Sequence, residues 1–218
     1  MSVPLEWNAL QEVIKDARKR NFQPGQPLVR QGERGEYVMA LIQGQVKVQR
    51  STAEGRTRVL DFRTAGEVLG RSAVLYQCPR SAEILALTHS QVALVPANTY
   101  RSCLEQYSLT MAVSKDALDR VKETVAVRDH DCLRDRLAYA LLLLAHRGST
   151  AQESGRMALH ISRSDLGSYL GASRNSISQE INRIPGVYAR RRLITIDIRR
   201  LHDFAIQAKV HMTPRSTT

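Results

Sequence analysis

The stretch from Ser162 to Gly186 constrains this chain more than any other, because its local signals agree with one another every few residues. Ser162 followed three positions later by Asp165 has the spacing of a capping box, with Asp standing in for the usual Glu or Gln, so a helix is expected to start at Arg163. Gly171 stops it. Ser173 offers a second N-cap, Ile177, Ile181 and Ile184 recur at intervals of four and three as one buried stripe, and Pro185-Gly186 closes the second helix. Two short helices joined by Gly171-Ala172-Ser173 make a helix-turn-helix.

In such a pair the second helix lies in the major groove of DNA. With the isoleucines turned inward, Arg174, Asn175, Ser178, Gln179 and Asn182 project from the core, and Ser173 opens the helix that carries them. Arginine can grip guanine O6 and N7, and Asn or Gln can grip adenine N6 and N7. The plainer alternative is a solvated helix face in some other all-α unit. Beyond the stop, Val187 to Ile196 holds two short β-like runs flanking Arg190-Arg191-Arg192, which resembles the wing of a winged helix. Its arginines would neutralise backbone phosphates beside the groove, adding affinity without sequence information. A final helix is expected from about Arg199 to Lys209.

Charge points the same way. The 218 residues carry 32 Lys and Arg against 21 Asp and Glu, a formal +11. Residues 132–218 hold 14 basic and 6 acidic side chains, whereas residues 1–106 hold 14 and 10, and residues 107–131 hold 4 and 5. Such an excess in the last third favours nucleic acid as partner, although a merely solvated basic surface has the same sign. With 43% hydrophobic and 24% charged residues the composition is that of a globular protein able to bury a core without disulfides or metal. The longest apolar stretch, Leu137 to Ala145, is far short of the roughly 20 residues a bilayer crossing needs. No basic flank followed by an apolar segment marks the N-terminus as a secretory signal, so no membrane association and a cytoplasmic location are expected. Cys78, Cys103 and Cys132 are odd in number and far apart, which argues against a disulfide framework and a Cys-x-x-Cys metal site.

Residues 5–20 have helical apolar spacing at Leu5, Leu10, Val13, Ile14 and Ala17 and end in Arg18-Lys19-Arg20, so one short leading helix is expected. From Phe22 to Ala97 the texture changes to short apolar runs punctuated by glycines. Val38–Ile42, Val46–Val48, Val59–Phe62, Ile84–Leu87 and Val92–Val95 are spaced like the strands of a small β-barrel or jelly roll. Helical texture holds from Asn98 to about His146. Leu118, Val121 and Val125, with Met111 a heptad before Leu118, have the spacing of a short coiled-coil seam; a helix packed on its own barrel fits the same spacing. Leu133 to Ala145 is apolar on most sides and is expected as a buried helix, followed by a loop with Gly148, Ser149, Ser154 and Gly155.

A β-roll, a long helix and a C-terminal winged helix-turn-helix, in that order, resemble the cyclic AMP receptor protein and fumarate-nitrate reduction regulator (CRP/FNR) family over nearly the whole chain. The stretches that carry the resemblance are Phe22-x-Pro-Gly-Gln-x-Leu28, Leu41-Ile-x-Gly-x-Val-x-Val48, Gly66-Glu-Val-Leu-Gly70, Pro79-Arg-Ser-Ala82 and Ser162 to Ile184. The resemblance implies an α+β architecture with a β-roll sensor-like domain at 1–107, a dimerisation helix and hinge at 108–131, and a DNA-binding winged helix-turn-helix at 132–218. It also implies a homodimer, double-stranded DNA with a near-palindromic site, and RNA polymerase as a further partner. Asn175 stands where relatives commonly have Glu, so the preferred half-site is expected to differ from theirs.

The effector site departs from the family pattern. In members that bind cyclic nucleotides, a Gly-Glu pair precedes Arg-Ser or Arg-Thr by nine or ten residues, the Glu holding the ribose hydroxyl and the Arg the cyclic phosphate. Counted back from Arg80-Ser81, Gly70 matches the Gly but Arg71 occupies the Glu position. The place near the adenine, where hydroxyl residues stand in those members, falls on Val121 and Lys122. Arg for Glu replaces an acceptor by a donor, so ordinary cyclic AMP binding loses a specific contact. Either Arg71 and Arg80 face one another and suit a small anionic effector, or Arg71 bridges to an acid and closes the pocket of an effector-independent regulator. The N-terminal cysteine cluster of iron-sulfur members is missing, so iron-sulfur is not expected as cofactor, and His89 and His130 give no pair with ligand spacing, so haem is left open without support.

The reading is a DNA-binding transcriptional regulator and not an enzyme, since no phosphate loop, catalytic triad signature or metal-ligand cluster is visible. Its rival is a ligand-binding regulatory subunit that leaves DNA alone.

Overall fold

A computed structural model describes residues 5–147 and 155–208, so the expected loop at Gly148, Ser149 and Ser154 and the expected helix end at Lys209 lie outside the described residues. The chain divides into two compact units, Met1–Asp116 and Ala117–Thr218.

The first unit begins with α1 (Leu5–Ala9) and α2 (Gln11–Asp16), then β1 (Arg18–Phe22), β2 (Pro27–Val29), β3 (Tyr37–Gln43), β4 (Gln45–Ser51), β5 (Thr57–Thr64) and β6 (Val68–Leu69). There follow α3 (Arg71–Leu75), β7 (Glu83–Ala86), β8 (Ser90–Pro96) and α4 (Ala97–Gln106). Two antiparallel four-stranded sheets result, in the orders β1-β8-β3-β6 and β2-β7-β4-β5. Four of the five runs expected as strands lie within strands of these sheets, and the fifth, Ile84–Leu87, runs one residue past the end of β7. Met39 and Leu41 of β3 and Val92 of β8 share one cluster with Val46, Ile84 and Ala86 of the other sheet, which is the interior of the roll. Val38, Ala40, Ala93 and Val95 instead pack with Leu10, Ile14, Tyr100 and Leu104 of the helices. The middle of β3 is therefore buried on both faces, which is why Val38–Leu41 reads as a continuous apolar run rather than an alternating one.

The leading segment corrects the sequence expectation. One helix through residues 5–20 is replaced by two, and Arg18-Lys19-Arg20 belongs to an edge strand. Ala17 turns extended, and Arg18–Phe22 then pair in register with Leu94–Ser90 of β8. Apolar spacing alone does not register the ladder hydrogen bonds that this pairing adds.

α5 (Thr110–Arg128) carries the division between the two units. The expected segmentation at 107 and 131 treats it as a separate element. Its first half belongs with the first unit because Val113 enters the helix-side cluster, while Glu123 in its second half forms a buried ion pair with Arg147.

The second unit continues with α6 (Leu133–Arg147), β9 (Arg156–Leu159), α7 (Arg163–Leu170), α8 (Arg174–Ile181), β10 (Val187–Arg190), β11 (Leu193–Asp197) and α9 (Ile198–Gln207). Leu137 to Leu142 of α6 are all fully buried, as their apolar run requires. β10, β11 and β9 form a three-stranded antiparallel sheet whose third strand, β9, sequence reading did not anticipate. α8 stops at Ile181, one turn before the expected end, with Asn182 as its C-cap. Pro185 disfavours helical geometry in the residue before it, yet Ile184 still reaches the core at 3% exposure from the turn. Among the described residues no helix is long and apolar enough to cross a membrane.

Candidate functional site

The helix-turn-helix is built by its caps. Ser162 Oγ accepts from the Asp165 amide at 3.0 Å and donates to Asp165 Oδ2 at 2.6 Å. Ser173 Oγ accepts from the Ser176 amide at 3.0 Å and opens α8. Between them Gly171 takes a left-handed conformation, and the Ala172 amide donates to the Gly167 carbonyl at 2.8 Å. Leu166, Ile177 and Ile181 are fully buried beneath this turn, which fixes the angle at which α8 leaves the core. A Cβ on Gly167 would lie 2.6 Å from the Ala172 carbonyl oxygen, so this glycine permits the close approach of the two segments. Gly167→Ala is expected to cost about 1–3 kcal/mol of overpacking, read as a lower urea midpoint of the full chain. An unchanged midpoint would show that the turn yields freely.

With the isoleucines inward, Arg174, Asn175, Gln179 and Asn182 are exposed, and Ser178 is half-buried. Within the described residues the side chains of Arg174, Asn175 and Gln179 make no hydrogen bond, so their donors and acceptors face water. Ser178 Oγ donates to the Arg174 carbonyl at 2.9 Å, and Asn182 Nδ2 lies 3.5 Å from the Ser178 carbonyl. Ser173 is committed to its cap.

The wing is a β-hairpin in which Arg190 pairs with Leu193, so Arg191 and Arg192 form its two-residue turn. Arg191 adopts a positive φ of 52°, and all three arginines are exposed. The Arg163 guanidinium donates to the Ala189 carbonyl at 3.1 Å and ties α7 to the wing. Sequence reading missed a second brace. Glu180 of α8 accepts from Arg134 of α6 at 3.0 Å and from Arg183 at 2.9 Å, and its pKa is lowered chiefly by the Arg134 hydrogen bond. The Glu180–Arg183 spacing of three was a visible signal; the Arg134 contact spans 46 positions and was not.

In the β-roll, Gly70 and Arg71 stand at the start of α3. The Arg71 guanidinium donates to Glu6 Oε2 at 2.8 Å and to Asp116 Oδ2 at 2.7 Å. Glu6 Oε1 in turn accepts from the Tyr100 hydroxyl at 2.9 Å. Burial pulls the Arg71 pKa down, but the two carboxylates more than offset this and leave it above the ordinary arginine value. Burial first, and Glu6 second, hold the Tyr100 hydroxyl well above its usual pKa, so it remains a donor. Arg80, only 4% exposed, donates to the carbonyls of Gly70, at 2.6 Å, and Tyr37, and lies 5.3 Å over the Tyr37 ring. A Cβ on Gly70 would run into this guanidinium. Arg80 Nε is buried without a partner, and burial lowers the Arg80 pKa. Of the two dispositions open to Arg71, it takes the bridge to acids. Ser81 is exposed, as are Val121 and Lys122 on α5. Among the described residues no group of three or more His, Cys, Asp or Glu side chains is placed to hold a metal.

Residues 19–107 match the family model described as a cyclic nucleotide-binding domain, and residues 135–204 match that of the Crp-like helix-turn-helix domain. The fumarate and nitrate reduction regulatory protein of Yersinia pestis is 29% identical over 188 residues, which is 82% of this chain and 72% of that protein. The CRP-like cAMP-activated global transcriptional regulator of Mycobacterium tuberculosis is 24% identical over 183 residues, 81% of each chain. This chain belongs to the CRP/FNR family. In fold it is similar to the solved structure of FixK2 from Bradyrhizobium japonicum, with a TM-score of 0.72 at 23% identity over 86% of this chain and 96% of that one.

As a CRP/FNR chain it is a DNA-binding transcriptional regulator and not an enzyme, and the helix-turn-helix match weighs against the subunit that leaves DNA alone. The two matched models fall one in each of the two compact units.

Proposed function

We propose that this regulator works as a homodimer on a near-palindromic duplex, reads bases through Arg174, Asn175 and Gln179, and holds phosphates through Arg190, Arg191 and Arg192. The observation that carries this reading is the row of exposed side chains without internal partners on α8, beside three exposed arginines at the wing. Ser178 and Asn182 extend the row as lesser contacts, and Ser173 acts through its cap.

The test is a titration of duplexes selected from a random library by the wild-type protein. Gln179→Ala is expected to cost about 1–3 kcal/mol at one base pair and to leave random DNA unaffected, whereas Arg191→Ala should weaken both and lower the salt slope by about 0.9 per half-site, roughly 1.8 for the dimer. Equal losses on selected and random DNA for Gln179→Ala would remove it from the reading set.

Cyclic AMP is not the effector in this reading. Arg71 offers a donor where the ribose hydroxyl needs an acceptor, and its charge is already spent on Glu6 and Asp116. That supports a regulator whose DNA binding needs no effector. A second reading, a different small anion at the sensor domain, is favoured by the unpartnered Arg80 Nε and by the absence of a carboxylate within ion-pair distance of Arg80 among the described residues; Gly70 and Ser81 would flank that anion.

A further inference from the structure

A groove of about 580 Å³ opens where α8 ends and the wing begins. It is bounded by Asn182 and Arg183 after α8, by Tyr188 and Ala189 of β10, and by Arg200 of α9. Both guanidiniums are largely exposed, at 61% for Arg183 and 67% for Arg200, yet each is steered by a neighbour. Glu180, itself held by Arg134, accepts from Arg183. The Tyr188 hydroxyl accepts from Arg200 at 3.3 Å. Tyr188 is 50% exposed, so its aromatic edge and hydroxyl are presented to whatever enters.

Two features identify the occupant. The groove is continuous with the base-reading row, because Asn182 belongs to both, and with the wing, because Ala189 precedes Arg190. Its charge is also not cancelled locally: Arg134 and Arg183 share the single carboxylate of Glu180, and the Arg200 contact to Asp197 is a long 3.8 Å. A duplex backbone that extends from the bases read by α8 along the hairpin would bring a phosphodiester to this opening. We propose that Arg183, Tyr188 and Arg200 form a phosphate-binding groove that grips the DNA backbone flanking the half-site, between the base-reading helix and the wing. Arg183 and Arg200 would each neutralise one phosphate, and the Tyr188 hydroxyl would donate to a phosphate oxygen while accepting from Arg200. The inference rests on the DNA-reading function proposed above and extends its footprint beyond the reading helix and the arginine triplet.

The experiment uses the full chain, duplexes selected from a random library by the wild-type protein, and sheared random duplex, titrated between low and moderate salt. Each phosphate neutralised contributes about 0.9 to the slope of log affinity against log salt, so Arg183→Gln with Arg200→Gln should flatten it by roughly 3.6 for a dimer on two half-sites. The loss should appear on selected and random DNA alike. Arg183→Lys with Arg200→Lys keeps the charges and should retain most of the slope, whereas a purely structural role for the arginines would fail to sort the two pairs by charge. Tyr188→Phe should weaken both duplexes severalfold with the slope unchanged. A Gln pair with the wild-type slope on a duplex that the wild type binds would overturn the groove and leave the DNA-reading function standing. A wild-type chain that selects no duplex would overturn both.

Discussion

Leu118→Asp combined with Val125→Asp is expected to yield a monomer by light scattering, with DNA affinity reduced by about 10²–10⁴-fold. The two residues and Val121 between them lie 53–60% exposed on α5, and Met111 a heptad earlier is 79% exposed. Such an exposed row has the spacing that a second copy of the helix would cover. A two-fold axis through this face would pair each protomer's row with itself and present two reading helices to two half-sites. Losing the link converts an intramolecular second contact into an independent one, which sets the size of the drop. Because the replaced side chains contribute little to the protomer's core, far-UV circular dichroism should be unchanged. A dimer that survives both carboxylates places the interface elsewhere on the chain.

The sequence announces what depends on neighbours a few residues away. Ser162 and Ser173 cap where their spacing says, because an N-cap is satisfied by amides two or three positions on. The isoleucine stripe of α8 and the strands of the roll are likewise written in local periodicity. What escaped reading is paid out over long separations. β1 was missed because its ladder lies on β8, some seventy positions away, and the apolar spacing that precedes it is equally compatible with more helix. β9 was missed because its partner β11 comes after the helix-turn-helix. At Gly70-Arg71 the motif shows Arg in place of the family's Glu but not the consequence, which depends on Glu6 and Asp116, 65 and 45 positions away from Arg71. Nor does sequence alone show the phosphate groove, whose walls come from the end of one helix, a strand and the start of another.

That long-range cluster makes Arg71 a residue whose replacement should cost the β-roll heavily. Arg71→Ala would leave Glu6, 4% exposed, with the Tyr100 hydroxyl as its remaining partner in this cluster. Removing one member of a buried ion pair costs about 3–5 kcal/mol, and the partial exposure of Asp116 favours the lower end of that range. The urea midpoint of the first unit reads this directly; a loss under about 1 kcal/mol would show that the cluster is solvated and holds nothing. Arg71→Glu alone gathers three carboxylates around one buried site, so it should destabilise the roll further instead of creating a nucleotide pocket. The informative variant also carries Glu6→Gln and Asp116→Asn, which keeps an acceptor for Tyr100 while removing the repulsion. A ligand switches a protein only through its differential affinity for two states, so the wild type should show no micromolar heat with cyclic AMP and an unchanged DNA titration in its presence. The triple variant should gain measurable binding. Micromolar binding by the wild type, together with severalfold tighter grip on selected DNA, would return cyclic AMP to this regulator as its effector and assign Arg71 a role in holding it.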